Sequence, residues 1–125
     1  MKYKFLLIDD EESFLDLLSE AITDEFDCEL EAISNPVEGL EIAQEQKYDL
    51  ILVDYVMPQM SGKKFVESLR ANPGINQKTP IVILSAYLEN VEKEVKNIKD
   101  VSFFDKMYYL TNLIPYLNMI LANKK

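Results

Sequence analysis

A chain of 125 residues has room for one compact domain and one hydrophobic core, and no apolar run in it approaches the roughly 20 residues that span a bilayer. With 13 basic against 22 acidic residues the net charge is −9, a balance that repels nucleic-acid phosphates and anionic membranes. Histidine is absent and Cys28 is the lone cysteine, which excludes Ser-His-Asp and Cys-His catalysis, histidine-ligated zinc, phosphohistidine on this chain and an internal disulfide.

Short apolar runs alternate with amphipathic segments along the whole chain. Lys2 to Ile8 ends in Phe5-Leu6-Leu7-Ile8, a buried-strand pattern. Glu11 to Thr23 carries Phe14, Leu17, Leu18 and Ala21 at helical spacing, behind the acidic start Asp9-Asp10-Glu11-Glu12 that suits a helix N-terminus. Cys28 to Ile33 reads as a second strand. Asn35-Pro36 reads as a cap and first position of a helix that ends near Lys47. Leu50 to Val53 is a continuous apolar run, as in a strand covered on both faces. A loop from Met57 to Gly62, broken by Pro58 and Gly62, leads to a helix over Lys63 to Arg70. Ile81 to Leu84 is a fourth strand, Leu88 to Ile98 a polar helix, Val101 to Phe104 a short fifth strand, and Tyr108 to Ala122 a last helix in which Pro115 predicts a kink or break. The order is α/β: five β-α units, a parallel sheet and helices on both faces, in a single domain over residues 1–125.

The polar residues fall at telling places in that order. Asp9 and Asp10 follow the first strand, Asp54 the third, Ser85 the fourth, and Lys106 stands two residues past the fifth. In an open parallel sheet all carboxyl ends lie on one edge, where ligands bind. Three carboxylates would meet there, and like charges ~4 Å apart repel by about 4 kcal/mol at an effective dielectric near 20. A proton, Lys106 or a divalent cation can offset this; Mg²⁺ favours oxygen ligands and is commonly shared with phosphate. Taken singly, each residue is more often a cap, a turn residue or a solvated charge. Taken together they suit metal-assisted phosphoryl transfer, with an Asp as nucleophile.

With these residues in place the chain resembles a response-regulator receiver domain of two-component signalling, of the CheY-like superfamily. The resemblance rests on Leu7-Ile8-Asp9-Asp10-Glu11, Asp49 to Asp54, Met57-Pro58-Gln59-Met60-Ser61-Gly62, Pro80 to Ala86, and Lys106. It implies a flavodoxin-like (βα)5 fold with strand order 2-1-3-4-5. It implies that Asp54 accepts the phosphoryl group, and that Asp10, Asp54 and the Val56 backbone carbonyl ligate Mg²⁺, with Asp9 acting mostly through water. Ser85 and the Ala86 amide would bind the phosphoryl group, Lys106 would pair with its oxygens, and Ser85 with Phe103 would form the switch. The donor would be a histidine kinase or a histidine phosphotransfer protein. The phosphorylated state would present a face to a downstream protein, with Tyr87, Phe104, Tyr108 and Tyr109 as candidate contacts. Glu12, Ser13 and Asp16 flank the site and read as a solvated face or a kinase contact.

The last helix runs to the end of the sequence, so a free-standing receiver is expected, with a fragment of a longer regulator as the alternative, in a cytoplasmic setting; the resemblance implies that it assists only its own phosphorylation and dephosphorylation and is no enzyme otherwise. No nucleic acid or membrane is an expected partner, and oligomeric state stays open. Three positions depart from the family pattern. Met107 stands where Pro usually follows the Lys, Phe103 lacks a hydroxyl, and Val95 to Val101 lacks the usual small residues. A receiver-like docking module that is never phosphorylated is the alternative. A Mg²⁺-dependent phosphatase ranks below it, because Val56 occupies the position where haloacid-dehalogenase-like enzymes usually carry a second Asp.

Overall fold

The computed structural model describes residues 2–71, 74–86, 93, 95 and 98–123. Strands β1 (Tyr3–Ile8), β2 (Cys28–Ile33), β3 (Leu50–Asp54), β4 (Ile81–Ser85) and β5 (Val101–Asp105) form one parallel sheet in the order β2-β1-β3-β4-β5. Helices α1 (Glu12–Glu25), α2 (Pro36–Glu45), α3 (Gly62–Ala71) and α4 (Tyr109–Asn123) accompany it. The helix expected over Leu88–Ile98 falls largely on residues 87–92, 94, 96 and 97, outside the described residues. Lys93 and Val95 are helical and Val95 is buried.

Strand alternation builds two separate cores. Successive strand side chains point to opposite faces. In β1, β3 and β4, Leu6, Ile8, Ile51, Val53, Ile81 and Ile83 pack on one face with Ala43 of α2 and Phe65, Val66 and Leu69 of α3. Phe5, Leu7, Leu50, Leu52, Val82 and Leu84 pack on the other with Leu15, Leu18 and Ile22 of α1 and Leu113 and Leu117 of α4. The central strands β3 and β4 are buried at every position, which is why their sequences show no polar alternation.

Local chemistry sets the helix ends. The Asn35 side chain accepts from the amides of Val37 (2.9 Å) and Glu38 (3.2 Å), and Pro36 takes the first turn, as expected from Asn35-Pro36. At Gly39 an added Cβ would stand 2.5 Å from Ile8 Cδ1, so a larger residue there would make the Ile8 side chain shift. Of the kink or break expected at Pro115, the break does not occur: α4 continues through it. Pro115 and Thr111 are both exposed, so the carbonyl left without its helical partner faces water.

At the end of the sheet away from the strand carboxyl termini, one buried amide holds the connections. Asn76 is 1% exposed. Its Nδ2 donates to the carbonyls of Ala43 and Gln46, and its Oδ1 accepts from the Tyr48 amide and the Thr79 hydroxyl. Arg70 donates to the carbonyls of Asn76, Thr79, Lys99 and Asp100, joining the end of α3 to the starts of β4 and β5. Asn76→Ala therefore leaves two carbonyls and an amide without partners in the interior. It is expected to lower the unfolding free energy by about 3 kcal/mol, read as a fall in the urea midpoint without a change of slope.

Candidate functional site

The carboxyl ends of β1 and β3 are neighbours in the sheet, and the acidic residues follow from that. Asp9 continues the Phe5-Leu7 alternation and Asp54 the Leu50-Leu52 alternation, so both start on the α1 and α4 face. Asp9 and Asp54 are buried and Asp10 is exposed. Each of the three brings one carboxylate oxygen within 4.8 Å of the others. Both buried carboxyls are also tied to backbone: Asp9 Oδ1 accepts from the Glu11 amide (3.0 Å) and Asp54 Oδ1 from the Tyr55 amide (3.0 Å).

Lys106 reaches into this cluster from the turn after β5. Its Nζ lies 2.9 Å from Asp9 Oδ2 and 3.3 Å from Asp54 Oδ1. Asp9 Oδ2 is buried without a well-formed hydrogen bond and is held by this charge contact. Burial and the neighbouring Asp9 charge push the Asp54 carboxyl up to about 7, with Lys106 opposing and Asp10 adding to the rise. Burial alone would pull the Lys106 ammonium down, but its bond to Asp9 and the charges of Asp54 and Asp9 hold it above its usual value. A poorly bonded buried carboxylate oxygen, a second carboxyl that resists ionisation and an all-oxygen donor set fit a hard divalent cation.

Residues 5–117 match the family model of the response regulator receiver domain. The chain belongs to the response-regulator receiver family. A probable chemotaxis protein CheY of Rhizobium etli is 33% identical over 85 residues, covering 68% of this chain and 65% of that protein. The response regulator ArlR of Staphylococcus saprophyticus is 32% identical over 91 residues, covering 72% of this chain and 39% of that protein. The match thus spans less than two thirds of either relative's length. Among solved structures, the chemotaxis protein CheY4 of Vibrio cholerae superposes with a TM-score of 0.82 at 25% identity, over 96% of this chain and 99% of that one. The receiver domain of the Francisella response regulator 1452 gives 0.81 at 25% identity, over 98% and 99%.

The receiver fold gathers most of the residues singled out in the sequence at one edge. Ser85 is the buried last residue of β4, in register with Asp105, and Ala86 follows it at the surface. Val56 lies two residues past Asp54 with its side chain 68% exposed. Phe103 is half-buried against the α2 and α3 core. Glu12, Ser13 and Asp16 are exposed. Among the described residues no peptide bond is cis, so Met107 is joined to Lys106 by a trans bond, and Lys106 still reaches both carboxylates.

Of the candidate docking aromatics, Phe104 and Tyr108 line one groove with Pro115, Tyr116 and Met119. Phe104 is 6% exposed and packs in the α1 and α4 core, because β5 alternation turns it opposite to Phe103. Tyr109 is half-buried with its ring edge-on to Phe14. Tyr108 is 58% exposed, and Tyr87 lies outside the described residues. Two residues gain roles that the sequence reading did not give them. At Gly62, a breaker and the last residue of the Met57–Gly62 motif, an added Cβ would stand 2.8 Å from the Asp54 carbonyl oxygen, and its amide closes the loop on Tyr55 O (2.8 Å). Phe14 lies under Lys106, with Nζ 4.4 Å from the ring centroid.

The raised Asp54 carboxyl has a definite sign in stability. Its ordinary value is 3.8 and its folded value about 7, so the folded chain binds the extra proton between them. Stability from this group is full below pH 4 and falls as the pH rises to about 7. Asp54→Asn is expected to stabilise the metal-free receiver by on the order of 2 kcal/mol at pH 8 and by little at pH 4. Urea unfolding of both proteins across that range, with chelator present, checks it.

Proposed function

We propose that this receiver accepts a phosphoryl group on Asp54, in a Mg²⁺-dependent reaction, from a histidine kinase or a histidine phosphotransfer protein. The observation that carries the reading is the three-carboxylate cluster with Lys106 Nζ within 3.3 Å of Asp54. A carboxylate oxygen of Asp54 bonds to phosphorus as the donor's P–N bond breaks, and the imidazole leaves with the electron pair and takes up a proton. Asp54 must be ionised to do this, and Tyr55 N–H and Lys106 stabilise the ionised form. Asp10, Asp54 and the Val56 carbonyl would hold Mg²⁺, with Asp9 acting mostly through water, and the ion would supply charge neutralisation for the phosphoryl oxygens.

Lys106 neutralises a further phosphoryl oxygen, and the Ser85 hydroxyl with the Ala86 amide takes another. Loading the site draws Ser85 and Lys106 toward the phosphoryl group and biases Phe103 and the face around β5 between two arrangements that a downstream protein reads. In this reading the chain is a cytoplasmic switch that serves only its own phosphorylation and dephosphorylation. Among the described residues no helix is long and apolar enough to cross a membrane.

Incubation with Mg²⁺ and a small-molecule acyl phosphate is expected to add one phosphoryl group by intact mass. Chelation and Asp54→Asn should each abolish the adduct. A beryllofluoride complex should form in the wild-type chain even where hydrolysis outruns the mass measurement. Failure of both leaves a docking module that is never phosphorylated, and the proposal falls.

A further inference from the structure

We propose that Phe14 is a positioning residue for Lys106: the face of its ring is the platform that holds the ammonium against the Asp9 and Asp54 carboxylates. The consequence for phosphoryl transfer rests on the reading given under Proposed function; the placement itself does not. A lysine carries four flexible carbons between its backbone and its charge, so fixing the backbone leaves Nζ free to roam. Here the backbone is fixed from one side. Asp105 Oδ1 accepts from the Met107 amide at 2.9 Å, a bond that a proline at 107 has no N–H to make. It opens a short 3₁₀ turn over Lys106–Tyr108 and sets the direction in which Lys106 leaves β5.

The charge is fixed from the other side. Nζ lies 4.4 Å from the Phe14 centroid while it touches Asp9 at 2.9 Å and Asp54 at 3.3 Å, so the ammonium sits between an aromatic face and two carboxylates. The negative face of the ring attracts a cation, and more strongly where water is displaced. The Lys106 side chain is 17% exposed, which meets that condition. The ring is in turn held by α4: Tyr109 meets Phe14 edge-on, with centroids 5.1 Å apart and planes at 89°. One stack therefore runs from α4 through α1 to the β5 turn and ends on the ammonium. A leucine at position 14 would fill most of the same space and supply no such face, which separates positioning from packing.

The test is a double-mutant cycle with a spectroscopic arm. Phe14→Leu is expected to slow phosphorylation by an acyl phosphate about thirtyfold, the value of a desolvated cation–ring contact near 2 kcal/mol. Phe14→Tyr should restore the rate, and Phe14→Leu should change nothing in a Lys106→Ala background. In the unphosphorylated chain, labelled lysine should show the Lys106 ε-methylene shifted upfield by the ring, assigned by its loss in Lys106→Ala and abolished in Phe14→Leu. Thermal unfolding of each variant separates this from loss of fold. An unshifted wild-type resonance, or an equal slowing with and without Lys106, overturns the proposal. If the wild-type chain takes no phosphoryl group, the phospho-acceptor reading falls and the resonance alone decides the placement of Lys106.

Discussion

Two buried carboxylates within reach of each other are the constraint on which this structure turns. Asp9 and Asp54 are brought together because β1 and β3 are neighbours and end at the same level. Unpaired, such charges would oppose folding by several kcal/mol each. Lys106 lies within 3.3 Å of both and is the nearest offset the chain supplies. One ammonium against three carboxyls still leaves an excess of negative charge, and burial together with the Asp9 charge holds the Asp54 carboxyl high. The three carboxyls with that excess could hold a metal ion.

The rest of the fold can be read as support for that edge. Two cores, one on each face of the sheet, fix β1 and β3 from above and below. Gly62 lets α3 begin against the Asp54 carbonyl, and Asp105 caps the turn that carries Lys106. The polar ties of Asn76 and Arg70 lie at the other end of the sheet, where they hold loops and strand starts without entering the site.

Much of this was legible in the sequence because it depends on local pattern. Continuous apolar runs located the strands, Asn35-Pro36 located a helix start, and Asp9, Asp10, Asp54, Ser85 and Lys106 were each visible as polar residues at strand ends. What was not legible depends on register or on pairs distant in the chain. Phe103 and Phe104 look alike in composition, and only strand alternation buries the second against α1 and α4. Phe14 lies 92 positions from Lys106, and its ring meets the ammonium only because α1 and α4 pack on the same face. Pro115 suggested a break by its chemistry, but its exposed position let α4 continue.

The excess negative charge at Asp9, Asp10 and Asp54 is what would draw a divalent cation to this edge. The most direct measurement is the thermal midpoint at pH 8 as Mg²⁺ is titrated into the wild-type chain and into Asp10→Ala. The account predicts a rise in the wild type that saturates, worth roughly 3 kcal/mol at a hundredfold excess over the dissociation constant, and a much smaller rise in the variant. A wild-type midpoint that does not move with Mg²⁺, or one that moves equally in Asp10→Ala, would contradict it.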